Sequence, residues 1–159
     1  MSGLLIPVSQ AIDLAEGRAP GHANRVAYIA SSLAAALELN NDQQLATMYS
    51  ALLHDIGSIA AGAELAGFTR GDERLVFASL PLLNPEEAVA GASDTPDAIV
   101  DRVSDHVMHG ARAARELDLS DEVAKGIATH HERFDGAGYP RGLSGSSVPI
   151  VGRIVGLAD

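Results

Sequence analysis

The 159-residue chain has no cysteine and no tryptophan. Without cysteine, a disulfide scaffold and any thiolate metal site are excluded. Aromatic residues make up only 4% of the chain although apolar residues make up 47%, so the core has to be built from Ala, Leu, Val and Ile. That composition favours close-packed helices over a β-sandwich. Positive charge is also scarce, with 11 Lys and Arg against 21 Asp and Glu, a net charge of −10. Such a surface repels phosphate backbones, which argues against DNA or RNA polymers and against anionic membranes as partners. An anionic substrate would need a local reversal of the field, and bound metal cations supply one. No apolar run approaches the roughly 18 residues that span a bilayer. The N-terminal MSGLLIPVSQ lacks the basic region of a signal peptide. The expectation is one cytoplasmic domain over residues 1–159.

Helical periodicity is the main local signal. Val26, Ile29, Leu33 and Leu37 form a stripe with three- and four-residue steps that ends at Asn40-Asn41. Asp42 is placed to cap a second helix with Leu45, Met48, Leu52 and Leu53 on its apolar side and Gly57 near its end. Residues 58–94 carry Gly62, Gly67, Gly71, Pro81, Pro85 and Gly91 and read as an insertion of loops and short helices. Thr95-Pro96 starts a long helix striped by Ile99, Val103, Val107, Ala111, Ala114 and Leu117. Ser120 caps the next, with Asp121 and Glu122 set against its N-terminal dipole and Val123 and Ile127 on its apolar side. A loop rich in glycine and proline over residues 135–149 precedes a last apolar segment. The whole predicts an all-α bundle.

The chain has six histidines, His22, His54, His106, His109, His130 and His131. A lone histidine near an apolar stripe is more often a hydrogen-bonded core or surface residue than a ligand. These recur at helix ends or on inward faces of successive helices, together with Asp55 and Asp159, and helical bundles build metal sites from side chains that converge in this way. Imidazoles and carboxylates bind borderline divalent ions. Five histidines and two aspartates exceed one ordinary site and suffice for two ions with one aspartate bridging. Two such ions can clamp a phosphodiester for in-line attack.

The order of His22, HDIG at 54–57, HVMHG at 106–110, HHERFDGAGYPRGL at 130–143 and GLAD at 156–159 resembles the HD superfamily of metal-dependent phosphohydrolases, in its HD-GYP subfamily. Every fixed position of the HHE-x-x-DG-x-GYP signature is present: His130, His131, Glu132, Asp135, Gly136, Gly138, Tyr139 and Pro140. The resemblance implies an HD-domain helical bundle. It also implies one divalent ion on His22, His54, Asp55 and Asp159 and a second on Asp55, His106, His130 and His131. Iron or manganese comes first, with zinc or nickel also compatible. The implied reaction is hydrolysis of a cyclic dinucleotide, cyclic di-GMP foremost, by a hydroxide bridging the metals and oriented by Asp55. The GYP loop is similar to one that supports the histidine pair and contacts signalling partner domains. His109 matches no ligand position, and would either support a metal ligand from behind, face the substrate, or be a plain surface residue.

Three departures qualify this picture. Ser58 stands where the family often has a lysine that contacts substrate phosphate, and a hydroxyl offers a hydrogen bond without charge. Arg18 occupies the position of a glutamate found in members with a third metal, so two ions are expected. The family pattern continues with further helices past the GLAD-like aspartate, so the chain reads as truncated and Asp159 as a frayed ligand. Phe68, Arg70, Arg74 and Phe77 would form either a cap over the site or a plain surface loop. The alternatives are a weakened HD-GYP module that binds nucleotide or a partner domain, and an HD phosphohydrolase acting on another nucleotide or phosphoester.

Overall fold

The computed structural model describes residues 2–15, 20–59 and 104–159. The expected helix start at Thr95-Pro96, the positions Ile99 and Val103, the insertion with Phe68, Arg70, Arg74 and Phe77, and Arg18 all lie outside the described residues. Among the described residues there are six α-helices and no strand. They are α1 (Ser2–Ala15), α2 (His22–Ala36), α3 (Asn41–Leu53), α4 (His106–Glu116), α5 (Asp121–Thr129) and α6 (Ile150–Ala158), with a single 3-10 turn at Gly145–Ser147. The all-α expectation holds. No helix among the described residues is long and apolar enough to cross a membrane.

Helix α2 packs on α3 and α4 on α5, while α6 lies against α2, α3 and α5, and α1 covers α2 and α3. The core is aliphatic and small. Leu53, Val107, Val123, Ile127, Val148, Val151 and Val155 are fully buried, and alanines at 30, 34, 51, 114 and 124 fill the spaces between helices. Burying each Val, Leu or Ile contributes about 1.5–3 kcal/mol. The alanine face corrects the sequence reading of α2. Its buried stripe is Ala23, Val26, Ala27, Ala30 and Ala34, whereas Ile29 and Leu37 are exposed, as are Leu45 on α3 and Leu117 at the end of α4. Alanine allows neighbouring helix backbones to approach closely, and larger residues are rotated out of the contact.

Two helix corners share one design. Leu37-Glu38-Leu39-Asn40 and Leu117-Asp118-Leu119-Ser120 each end one helix and start the next. Glu38 and Asp118 adopt left-handed backbone, with φ of 54° and 57°. The amides of Leu39 and Leu119 reach back to the carbonyls of Ala34 and Ala114, which closes both helices in a Schellman pattern. Asn40, not Asp42, caps α3. The Asn40 Oδ1 accepts from the Gln43 amide at 2.9 Å and the Gln43 side chain accepts in return from the Asn40 amide. A glutamine three residues on completes this capping box, and Asp42 sits within the first turn. Ser120 caps α5 as expected, accepting from the Val123 amide.

The start of α2 is capped from a distance. Gly21 has no side chain to offer, and the buried Asp13 of α1 accepts from the amides of Gly21 at 2.7 Å and Ala23 at 3.2 Å. These amides flank His22, which is the first residue of α2. Helix α6 is held equally tightly at its other end: a Cβ built on Gly156 would collide with the carbonyl oxygen of His130.

Two substitutions test this account by denaturant unfolding. Asp118→Gly relieves the left-handed residue and is expected to stabilise the fold by up to about 1 kcal/mol, whereas no gain would show that the corner carries no strain. Gly156→Ala forces α6 off the end of α5 and is expected to cost about 1–3 kcal/mol. A neutral result would show that the contact yields freely.

Candidate metal centre

The two strongest donors sit where two helices stop. His54 and His130 occupy the C-cap positions of α3 and α5, where the last carbonyls of a helix lack an intrahelical partner. Each imidazole folds back onto such a carbonyl. His54 Nδ1 lies 2.9 Å from the Ala51 oxygen and His130 Nδ1 lies 2.8 Å from the Ile127 oxygen. A carbonyl only accepts, so each Nδ1 carries the proton and each Nε2 is directed inward. The carbonyl ends of both helices also face the site and favour positive charge there.

Asp55 follows His54 in the turn after α3 and is buried. Its Oδ2 lies 2.8 Å from His54 Nε2, while its Oδ1 lies 3.6 Å from His106 Nε2 and 3.8 Å from His130 Nε2. Asp159 closes the other side, with its Oδ1 at 3.0 Å from His22 Nε2 and 3.4 Å from His54 Nε2. The Asp159 amide donates a hydrogen bond to the Val155 carbonyl at 3.0 Å, which continues the helical bonding of α6 to this residue. The donors fall into two groups, Asp55 with His106, His130 and His131, and His22 with His54 and Asp159. Within each group the ligand atoms lie within 4.8 Å of one another.

The electrostatics follow from burial and proximity. Burial disfavours the charged form of His54, but the Asp55 and Asp159 carboxylates outweigh it and hold its pKa well above the usual range. Burial likewise opposes ionisation of Asp55 and Asp159. The histidines around them prevail, and both carboxyls stay well below the usual carboxylate range. Burial and the neighbouring imidazoles push His130 well down, and His131 falls to about 3. The donor set fits a divalent ion on its chemistry and on one specific observation: the buried Nε2 of His130 has no hydrogen-bond partner among the described residues. A neutral imidazole with a locked Nδ1–H and a vacant inward lone pair is the form that binds metals.

The signature loop works as a brace for His131. Buried Glu132 accepts from the amides of Arg141 and Leu143, both at 2.8 Å, and so folds the loop back on itself. The Tyr139 ring stacks on His131 with centroids 4.7 Å apart, and the Tyr139 amide donates to the His131 carbonyl. Gly138 sits against the backbone of His131 and Arg133, where a Cβ has no room. Asp135 accepts from the Ala137 amide and pairs with Arg133 at 2.7 Å. Gly136 takes a φ of +83°, and Pro140 follows a cis bond from Tyr139.

Two expected residues stand apart. Ser58 is buried and its hydroxyl donates to the Asp55 carbonyl at 2.6 Å, so it braces the turn that carries Asp55. His109 is half-buried and belongs to neither donor group. Sequence reasoning missed Asp13, whose partners lie eight and ten residues away, and it gave no role to Phe134 and Arg153. Those two help to line a cavity of about 650 Å³ that opens from His130, His131 and Asp159.

Comparison with known proteins agrees with this geometry. A family model described as an HD domain matches residues 83–159. The 3'3'-cGAMP-specific phosphodiesterase 1 of Vibrio cholerae is 29% identical over 138 residues, covering 87% of this chain and 27% of that protein. The cyclic di-GMP phosphodiesterase of Thermotoga maritima is 30% identical over 143 residues, covering 87% of this chain and 32% of that protein. The cyclic di-GMP phosphodiesterase response regulator RpfG of Xanthomonas campestris pv. campestris is 28% identical over 155 residues, 96% of this chain and 35% of that protein. The chain thus spans about a third of the length of these curated relatives. The crystal structure of a cyclic GMP-AMP specific phosphodiesterase of V. cholerae superposes with a TM-score of 0.72 at 24% identity, over 98% of this chain and 38% of that one. The helical bundle and the paired donor groups agree with the match of residues 83–159 to the HD-domain model and with the fold of the solved phosphodiesterase.

Proposed function

We propose that the chain is a metal-dependent phosphodiesterase of the HD-GYP type that hydrolyses a cyclic dinucleotide, cyclic di-GMP foremost. The observation that carries this reading is the position of Asp55. One of its oxygens faces His54 and the other faces His106 and His130, so a single buried carboxylate reaches both donor groups. His22, His54 and Asp159 would hold one divalent ion with Asp55, and His106, His130 and His131 would hold the other. Iron or manganese suits this set of nitrogen and oxygen donors, with zinc or nickel also compatible. When bound, two such ions supply Lewis-acid charge to the scissile phosphate and an activated water.

The chain's own residues do the rest. Ala51 and Ile127 carbonyls fix the tautomers of His54 and His130. Ser58 holds the Asp55 backbone. Glu132 and Tyr139 keep His131 oriented. Arg153 brings positive charge to the cavity in a protein of net charge −10. The exposed Pro140-Arg141-Gly142 turn is where a signalling partner domain would dock. The names of the relatives support the substrate class, since they act on cyclic di-GMP or on 3'3'-cGAMP.

Manganese- or iron-loaded protein is expected to convert cyclic di-GMP to a linear product resolved by chromatography. Asp55→Asn should lower turnover by about a thousandfold, the equivalent of several kcal/mol of lost transition-state stabilisation. Binding of the nucleotide without any turnover by the loaded wild type would select the weakened-module alternative.

The two donor groups should also separate in a pH titration of metal occupancy. The proton on His54 must leave before that imidazole can ligate, and its pKa is raised, so acidification returns this proton early and weakens the His22–His54–Asp159 group first. His131 stays neutral down to about 3 and His130 is likewise pushed down, so neither presents a competing proton at mildly acid pH. Stepwise loss of one ion and then the other on lowering the pH is the expected result, read by calorimetry. Loss of both in one step would count against the assignment.

A further inference from the structure

The cavity beside the donor groups has a second end. Its inner wall is His130, His131 and Asp159, and its outer wall includes Phe134, Arg153 and Leu157. Phe134 is 65% exposed, unusual for one of only three phenylalanines in the chain, yet its backbone is not loose. Its carbonyl accepts from the Gly145 amide at 2.9 Å, and the Glu132 clamp ties down the following turn. Arg153, from the middle of α6, sets its guanidinium carbon 5.8 Å from the Phe134 ring centroid. The Arg153 Nε is buried without a hydrogen-bond partner, and Arg153 forms no ion pair among the described residues. The other cation of the cavity, Arg133, is occupied by Asp135 at 2.7 Å.

We infer that Phe134 and Arg153 form a nucleobase subsite, in which Phe134 stacks a purine and Arg153 selects guanine over adenine. The inference rests on the phosphodiester reading of the neighbouring donor groups and adds the base specificity that this reading leaves open. A phosphate held at the donor groups places its nucleoside in the same cavity. A rigid, exposed ring offers a face on which any base stacks. Arginine discriminates: its donors match the O6 and N7 acceptors of guanine, whereas adenine presents a donor at N6. The guanidinium lies over one face of the ring, which leaves the other face for the base, and its Nε has no hydrogen-bond partner among the described residues, so it favours guanine.

The absence of tryptophan makes the test direct. Phe134→Trp, at an exposed position, introduces the sole indole, and its emission reports stacking without any turnover. In the metal-loaded 159-residue chain, GMP is expected to quench the emission with an affinity about tenfold higher than AMP, the discrimination of one good arginine–guanine contact. Adding Arg153→Met is expected to abolish the difference while leaving the quenching. Equal quenching by GMP and AMP in the single variant would overturn the selectivity, and no quenching by either would overturn the subsite. Failure of the phosphodiesterase reading has a separate signature, quenching by GMP with no metal-dependent cleavage of cyclic di-GMP by the wild type.

Discussion

A buried carboxylate has to be compensated or it neutralises. Asp55 is buried, and around it His54, His106 and His130 approach within 3.8 Å. Much of the described architecture follows from that one requirement. The imidazoles reach Asp55 because α3 and α5 both stop at the site, and their terminal carbonyls hold His54 and His130 by Nδ1. The same carbonyls fix the tautomer that leaves Nε2 inward. Charge compensation and metal-ligand geometry are therefore one arrangement, and removing Asp55 would disturb both.

Bringing so many helix ends to one point demands thin helices. Alanine supplies this on α2 and α4, and glycine supplies it where backbones touch. A Cβ on Gly57 would meet the His106 carbonyl, so the turn carrying Asp55 lies directly on the start of α4. Gly156 does the same for α6 and His130. The scarcity of aromatics in the composition is thus a packing condition: large rings between these helices would hold the donor groups apart. Among the described rings, Tyr139 and Phe134 sit on the loop at the mouth of the site, Tyr28 is exposed on α2, and Tyr49 is only partly buried against the core.

This division explains what the sequence made legible. The donor residues were readable because imidazole and carboxylate chemistry is confined to a few residue types, and the HHERFDGAGYP stretch carries its loop geometry within one short segment. Ser120 was readable because its capping partner lies three residues away. The buried face of α2 was not, since Ile29 and Leu37 are more apolar than the alanines that bury instead, and only the approach of neighbouring helices decides between two stripes that share Val26. Asp13 was invisible for a related reason: it caps a helix eight to ten residues further on, opposite a glycine with no side chain. The inward turn of the Ser58 hydroxyl depends on the tightness of the turn after α3, which no spacing rule reports.

The central claim is that Asp55 stands between two divalent ions. Anomalous diffraction from crystals of the manganese-loaded protein measures this directly. The account predicts two peaks about 3.5–4 Å apart on opposite sides of the Asp55 carboxylate, one toward His22, His54 and Asp159 and one toward His106, His130 and His131. A single peak, or none within coordination distance of Asp55, would contradict it.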